Sequence, residues 1–362
     1  TCNYGSTAAG GRLNALAASK SRLIVAYFKF LEERMNVRKF SLLLVVAALL
    51  MLALAACSGG AAEVTPTEAP VVEEPTAAPE EPAAEEPAAG DLGTAENPII
   101  MSFVPSGDTQ DIIASGDTLA QMLTDATGLT VQSTVGTDFS SVREAMCAGQ
   151  AQIGWLNTFN YVMAAEQCGV DAALVTSRFG ATTYAGQIIV RADSGIETLQ
   201  DLKGKVMCWV DPASTSGYII PRIMLAAEGI DPDTDFAETI EAGSHNNVVT
   251  QVYNGDCDAG ATFSDARTGI EEEFPDVLEK VIVLANTSDI PNDSVAFIAD
   301  FPADMREQIV TALLDIAGTP EGQEALNTLY NIEGLQASSD AFYDTFRADL
   351  SRAGINIEEL AQ

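Results

Sequence analysis

The feature that most constrains this chain is a strip that cannot fold. Residues 58–96 carry ten acidic side chains and no basic one, six of the chain's fifteen prolines, and no Phe, Tyr or Trp. Six of these acids come in pairs next to proline, as Val72-Glu73-Glu74-Pro75, Pro79-Glu80-Glu81-Pro82 and Glu85-Glu86-Pro87. Such a composition buries too little apolar area to offset its ordering entropy, and its like charges keep it extended. Fully stretched, it would reach on the order of 100 Å. Residues 58–96 are therefore expected to form a disordered Pro/Glu/Ala linker, and they divide the chain. Before them lies a basic head with seven basic and two acidic residues; after them lies a body with eleven basic and forty acidic residues, within a formal total of −34. A body so acidic lacks the clustered Lys and Arg that neutralise phosphates, which excludes nucleic acid as a partner, and anionic lipid would repel it. A single His in 362 residues leaves little room for His-rich metal sites or for Ser-His-Asp and Cys-His catalysis.

The head reads as an address. Met35-Asn36-Val37-Arg38-Lys39 is a short basic start, and Phe40 to Ala56 is uncharged and ends in Leu54-Ala55-Ala56-Cys57. A basic n-region, an apolar h-region and small residues at the cut site describe a secretory signal, while the run is also long enough for a marginal membrane span. The Cys directly after Leu-Ala-Ala resembles the bacterial lipoprotein signal, which implies that residues 35–57 are a signal peptide ending at the lipobox Cys57. On that reading Cys57 is lipidated and the body is tethered outside the cytoplasm, to the outer face of the cytoplasmic membrane. Residues 1–34 precede this start and are expected to be a non-native upstream extension, with an amphipathic presequence as the alternative.

From Asn97 the pattern changes to alternating strands and helices. Strands are expected near 98–104, 129–131, 153–156, 172–175, 187–191, 206–210, 260–263 and 281–284, and helices near 118–127, 140–148, 160–167, 219–228 and 248–253. The tail from Met305 to Leu360 reads as almost wholly helical. This alternation predicts an α/β body with a largely parallel sheet, and its length predicts two lobes. Outside the cytoplasm the four body cysteines favour disulfides, of which three pairings are possible. Cys147–Cys168 with Cys208–Cys257 ranks first, because each bridge would then staple one lobe. No Cys-x-x-Cys pair supports zinc, and no metal or cofactor is expected.

Two segments carry the candidate chemistry. In Asp211-Pro212-Ala213-Ser214-Thr215-Ser216-Gly217-Tyr218-Ile219-Ile220-Pro221, Pro221 places a helix start near Ser214–Gly217, since proline is tolerated only in a first turn. Free backbone N–H groups, a positive dipole end and three hydroxyls would meet there and could accept an anion without Lys or Arg. An ordinary N-cap explains the same residues. The second segment, Ala242-Gly243-Ser244-His245-Asn246-Asn247, sets the only His at another helix start, where it could donate to an anion or serve structure alone. Asp231-Pro232-Asp233-Thr234-Asp235 starts like a calcium loop, but Phe236 replaces the required Gly and Ala242 the final Glu, so a connecting turn is expected. There is no Gly-x-Ser-x-Gly elbow and no Walker loop, and an enzyme reading lacks a nucleophile–base pair.

Taken in order, Tyr184 with Gln187–Ile196, Leu199–Lys205, Ser214-Thr215-Ser216-Gly217-Tyr218 with Pro221, Gly243-Ser244-His245, Asn254-Gly255 with Asp258–Ala261, and Ile290-Pro291-Asn292-Asp293 resemble the phosphonate/phosphite/phosphate substrate-binding proteins of ABC transporters. The likeness covers about residues 97–335. It implies a type II periplasmic-binding-protein fold, two α/β lobes joined by two crossover strands near 184–192 and 292–298. Lobe one would comprise 97–183 plus 294–362, and lobe two 184–293. By resemblance Ser214, Thr215, Ser216 and His245 would hold phosphoryl oxygens, Tyr184 would line the pocket and Asp293 would face the bound group. Asp265 stands where some members carry an acid for the amine of an aminophosphonate. The implied function is an extracytoplasmic, monomeric lipoprotein that captures a phosphorus oxyanion and delivers it to an ABC permease. A ligand-sensing module and a surface phosphoesterase are the alternatives. A carboxylate such as Asp293 only accepts hydrogen bonds, so the ligand should bear a proton on oxygen or an ammonium, and sulfate should be refused.

Overall fold

A computed structural model describes residues 92–357 apart from Phe179. The expected extension (1–34), the signal with Cys57 (35–57) and nearly all of the linker lie outside the described residues. The last linker residues already belong to the body: the Gly93 N–H donates to the Asn97 carbonyl, and the Gly93 carbonyl accepts from Thr130. Among the described residues no helix is long and apolar enough to cross a membrane.

The chain begins β1 (Ile99–Phe103), α1 (Thr109–Thr127), β2 (Val131–Val135), α2 (Phe139–Cys147), β3 (Ile153–Leu156), α3 (Thr158–Cys168) and β4 (Asp171–Ser177). It then enters a second sheet through β5 (Thr183–Arg191), β6 (Val206–Trp209), α4 (Ile220–Ala227), β7 (Glu238–Glu241), α5 (His245–Asn254), β8 (Ala259–Phe263), α6 (Val277–Lys280) and β9 (Val281–Pro291). It returns as β10 (Ser294–Phe297), α7 (Ala303–Ala317), α8 (Pro320–Tyr330), β11 (Gly334–Ala337) and α9 (Asp344–Arg352). The first sheet has the order β11-β4-β10-β3-β1-β2 and the second β7-β6-β8-β5-β9. In each, the strand that arrives from the other sheet (β10 or β5) is inserted between the third and fourth strands of its own sheet. That shared order is the type II arrangement.

The sheets are mixed rather than largely parallel. β1 runs parallel to β2 and β3, and β6 to β7 and β8. β10 is antiparallel to β3 and β4, β11 to β4, and β5 to β8 and β9. The arriving strands have no helical crossover before them within their own sheet, so nothing obliges them to run parallel. β5 lies within the second sheet along its whole length; the passages themselves fall between Ser177 and Thr183 and between Pro291 and Ser294.

Local rules explain other departures. α1 starts nine residues before the expected 118 because Asp108 caps it, accepting from the Gln110 and Asp111 N–H groups; its Gly116 breaks the apolar period but sits against the Phe103 ring, where an added Cβ would meet ring carbons at 3.0 and 3.3 Å. β7 (Glu-Thr-Ile-Glu) is an exposed acidic edge strand, and β11 interrupts the helical tail with only four residues. Trp155, buried and stacked on Phe103 at 5.6 Å, anchors the first core, and Trp209 the second sheet's own cluster. Cys147 is joined to Cys168 and Cys208 to Cys257, with Cα separations of 5.4 and 5.9 Å.

Candidate functional site

The site is assembled where two strand-to-helix junctions meet. After β6 the chain turns through Ser214 into a single wide turn, Thr215–Ile219, that leads into α4, with Pro221 in the first helical turn. Ser214 Oγ accepts from the Gly217 N–H at 3.1 Å. Residue 217 must be Gly, because an added Cβ would stand 2.6 Å from Val210 Cβ and 2.9 Å from Ser214 Oγ. Ser214, Thr215 and Ser216 are all buried. After β3 the opposing junction is Asn157-Thr158-Phe159-Asn160, where all three polar side chains are buried.

The two junctions are bonded to each other. Asn157 Nδ2 donates to the Ala213 carbonyl and to Thr215 Oγ1, and the Phe159 N–H donates to the same hydroxyl, each at 2.9 Å. The His245 N–H donates to the Ser106 carbonyl at 3.1 Å, closing a second point along the seam. The Thr215 hydroxyl thus links the lobes.

Tyr184, on β5, is half-buried, and its hydroxyl end lies near Ser216 and Thr158. Burial, followed by the Asp293 charge, pushes this phenol well above its ordinary value. His245 opens α5, with Ser244 as its N-cap. Its Nδ1 lies 2.7 Å from Thr262 Oγ1 and receives the Phe263 N–H at 3.3 Å. That acceptor role places the ring proton on Nε2. Burial, followed by the Arg178 charge, lowers the imidazole from 6.5 to about 3, so the ring is neutral. It packs edge-on to Phe263 at 4.6 Å.

Asp293, between β9 and β10, is buried and paired with Arg178, whose Nη2 donates to Oδ2 at 2.6 Å. Burial pushes its carboxyl up, and Arg178 opposes that push. The guanidinium lies 5.7 Å from both the Tyr184 and Phe263 ring centroids. It therefore ties Asp293, Tyr184 and the His245–Phe263 pair into one cluster. The two segments that the sequence marks as anion sites contain no Arg, and Arg178 lies outside both. One signal was present: an isolated Arg closing an apolar strand, Ala172 to Val175, just before the passage into the second sheet. Asn157, Thr158 and Asn160 were also passed over, though three polar residues directly after an apolar strand mark a strand's carboxyl end, where α/β sheets bind ligands.

Asp265 is not brought into this cluster. Its side chain is 52% exposed and accepts from Arg267 at 3.0 Å, at a backbone φ of 63°. The Asp231–Asp235 segment is a turn closed by its own hydrogen bonds and by Lys203, which pairs with Asp235 at 2.9 Å. No group among the described residues could hold a metal ion. A surface groove of about 830 Å³ between α4 and the end of α9 is lined largely by Ile220, Ile223, Met224 and Ala353. Its two arginines, Arg222 and Arg352, are paired with Asp233 and Asp349, and none of the sequence-predicted site residues lines it.

Two lobes of type II order, with buried donors meeting at the seam, define a bilobed binding protein. Residues 101–343 match the family model described as the periplasmic substrate-binding protein of the phosphonate ABC transporter, and the chain belongs to that family. It is 35% identical over 179 residues to the phosphate-import protein PhnD of Mycolicibacterium smegmatis, covering 46% of this chain and 54% of that protein. It is 24% identical over 218 residues to the phosphonates-binding periplasmic protein of Escherichia coli, covering 59% and 64%. The chain thus spans less than two thirds of either relative. Among solved structures it is similar in fold to a binding protein of a phosphonate transporter from Pseudomonas aeruginosa (TM-score 0.65, 20% identity, 71% and 87% covered). It is likewise similar to PhnD1 of Prochlorococcus marinus in complex with methylphosphonate (TM-score 0.64, 14% identity, 71% and 98% covered).

Proposed function

We propose that this chain is the extracytoplasmic solute-binding component of an ABC importer. It captures a small phosphorus oxyanion between its lobes and passes it to the membrane permease. The observation that supports this most directly is the character of the seam: buried hydroxyls of Ser214, Thr215, Ser216 and Tyr184 together with a neutral His245 carrying its proton on Nε2. Neutral donors fixed in a poorly solvated cleft stabilise an anion without a compensating free cation. Asp293 keeps one carboxylate in that cleft, which favours ligands with a protonated oxygen and disfavours sulfate. The body works as a monomer, catalyses no reaction, and is held to the membrane by lipid on Cys57.

Calorimetry with phosphate, phosphite, methylphosphonate and sulfate tests the reading. At least one phosphorus ligand should bind and sulfate should not; at a hundredfold excess over Kd the bound form gains about 2.7 kcal/mol of stability. Failure of every phosphorus oxyanion to bind would sink the proposal. The anchor is tested separately by mass spectrometry of the membrane fraction. The N-terminal peptide should begin at a lipid-modified Cys57, and retention of residues 35–56 would overturn it.

A further inference from the structure

Among the described residues, Arg178 and Asp293 are the only formally charged side chains that are buried, and each is the other's partner. A buried ion pair is a weak source of stability, since desolvating both charges offsets most of their attraction. This one also lies within the candidate site. Its guanidinium is flanked by Tyr184 and Phe263, the Tyr184 hydroxyl lies near Ser216, and Phe263 packs on His245. Arg178 Nε is buried with no hydrogen-bond partner among the described residues. The pair is thus internally neutral and still holds an unspent donor.

We infer that Arg178 determines specificity: it supplies from the protein the cation that Asp293 needs, so the site accepts phosphorus oxyanions with an uncharged substituent and rejects those with an ammonium tail. The inference rests on the binding role proposed above. An ammonium entering beside Asp293 would have to share a carboxylate already bonded at 2.6 Å. It would also stand close to a desolvated guanidinium, where like charges repel far more strongly than in water. Among the described residues Asp293 is the only buried acid, and Asp265 is half-exposed and bonded to Arg267. A hydrogen, hydroxyl or alkyl substituent meets no such penalty. The spare Arg178 N–H suits an anion's oxygen and can only repel an ammonium.

The test is calorimetry on the purified protein with propylphosphonate and 2-aminoethylphosphonate, which have tails of equal length and different charge, beside methylphosphonate and phosphate. The wild-type protein should bind 2-aminoethylphosphonate at least tenfold more weakly than propylphosphonate. Arg178→Gln should release Asp293 and shift that ratio at least tenfold toward the amine, and Arg178→Lys should restore the rejection. If the amine binds as tightly as propylphosphonate or tighter, the inference is overturned while the binding role stands. If none of the four ligands binds, the binding role falls and the inference with it. Should Arg178→Gln fail to melt cooperatively, the wild-type ratio and the Arg178→Lys ratio still decide the outcome.

Discussion

The two junctions that meet at the seam use the same kind of residue in opposite ways. At the turn that leads into α4, Ser214 Oγ accepts locally, from the Gly217 N–H, and caps the turn. At the start of α3, Asn157 occupies the N-cap position and makes no capping bond. Its Nδ2 crosses to Ala213 and Thr215, and its Oδ1 accepts from Asn160. A cap bond is worth about 1 kcal/mol, so α3 gives up local stability for bonds that exist only while the lobes are together. One N-cap side chain is therefore bonded within its own junction, and the other reaches across the seam. Asymmetry of this kind suits hinge closure around a ligand, where one surface must be preformed and the other must register that the cleft has shut.

The largest effect is expected behind the first lobe's junction. Arg178→Met should cost roughly 3–5 kcal/mol, because it leaves Asp293 buried without its partner. The double change Arg178→Met with Asp293→Leu should recover most of that loss. Chemical denaturation of the three proteins checks this, and equal losses in the single and double variants would show that the pair is not held as a desolvated unit. On the other side of the seam, His245 predicts a pH effect. Its folded-state value of about 3 lies below the ordinary 6.5, so its contribution is complete above about pH 6.5 and is lost as pH falls toward 3. The loss should be on the order of 1 kcal/mol per pH unit within that window. His245→Gln should flatten the dependence between pH 6.5 and 4.5, and an unchanged slope would place the ring's titration elsewhere.

A smaller effect separates the junctions themselves. Ser214→Ala should lower the folding stability of the ligand-free protein by about 1 kcal/mol, and it should also weaken ligand binding, because the Ser214 O–H is one of the proposed donors. Asn157→Ala should change melting of the ligand-free protein less and weaken ligand binding by about 1–2 kcal/mol, since the bonds lost are those between lobes. Thermal melts paired with calorimetry distinguish them, and identical profiles for the two variants would erase the distinction.

What the sequence made legible follows from which forces are local. The Ser214–Gly217 turn could be read because Pro221 and Gly217 answer to backbone sterics within a few residues. The helix opening at His245 was legible in the same way, through Gly243 and Ser244. Strand order was less so: β7 is acidic and exposed, and β11 has only four residues, so neither shows an apolar period. Arg178 was missed for a physical reason. Its partner lies 115 positions away, and an arginine at a strand end reads equally well as a solvated charge. Asn157 was missed because its local cue, an N-cap at a strand-to-helix junction, points to a bond it does not make. The family resemblance supplied the Ser-Thr-Ser and His positions together, whereas each alone was also an ordinary cap.

The smallest expected effect concerns the one candidate that stands apart from the seam. Asp265 and Asp293 look alike in sequence as acids facing a ligand, but one is half-exposed on an ion pair with Arg267 and the other is buried on Arg178. An exposed pair of that kind contributes about 0–1 kcal/mol. Arg267 would stay in place without it, because its Nη1 also donates to the Val281 carbonyl at 2.9 Å. The left-handed backbone at residue 265 is one that asparagine adopts as readily as aspartate. Asp265→Asn should therefore shift stability by less than about 0.5 kcal/mol and leave the affinity for phosphate and methylphosphonate within about twofold, under 0.5 kcal/mol by the usual conversion. A tenfold loss of affinity in that variant would bring Asp265 into the site and require the lobes to close further than the present arrangement shows.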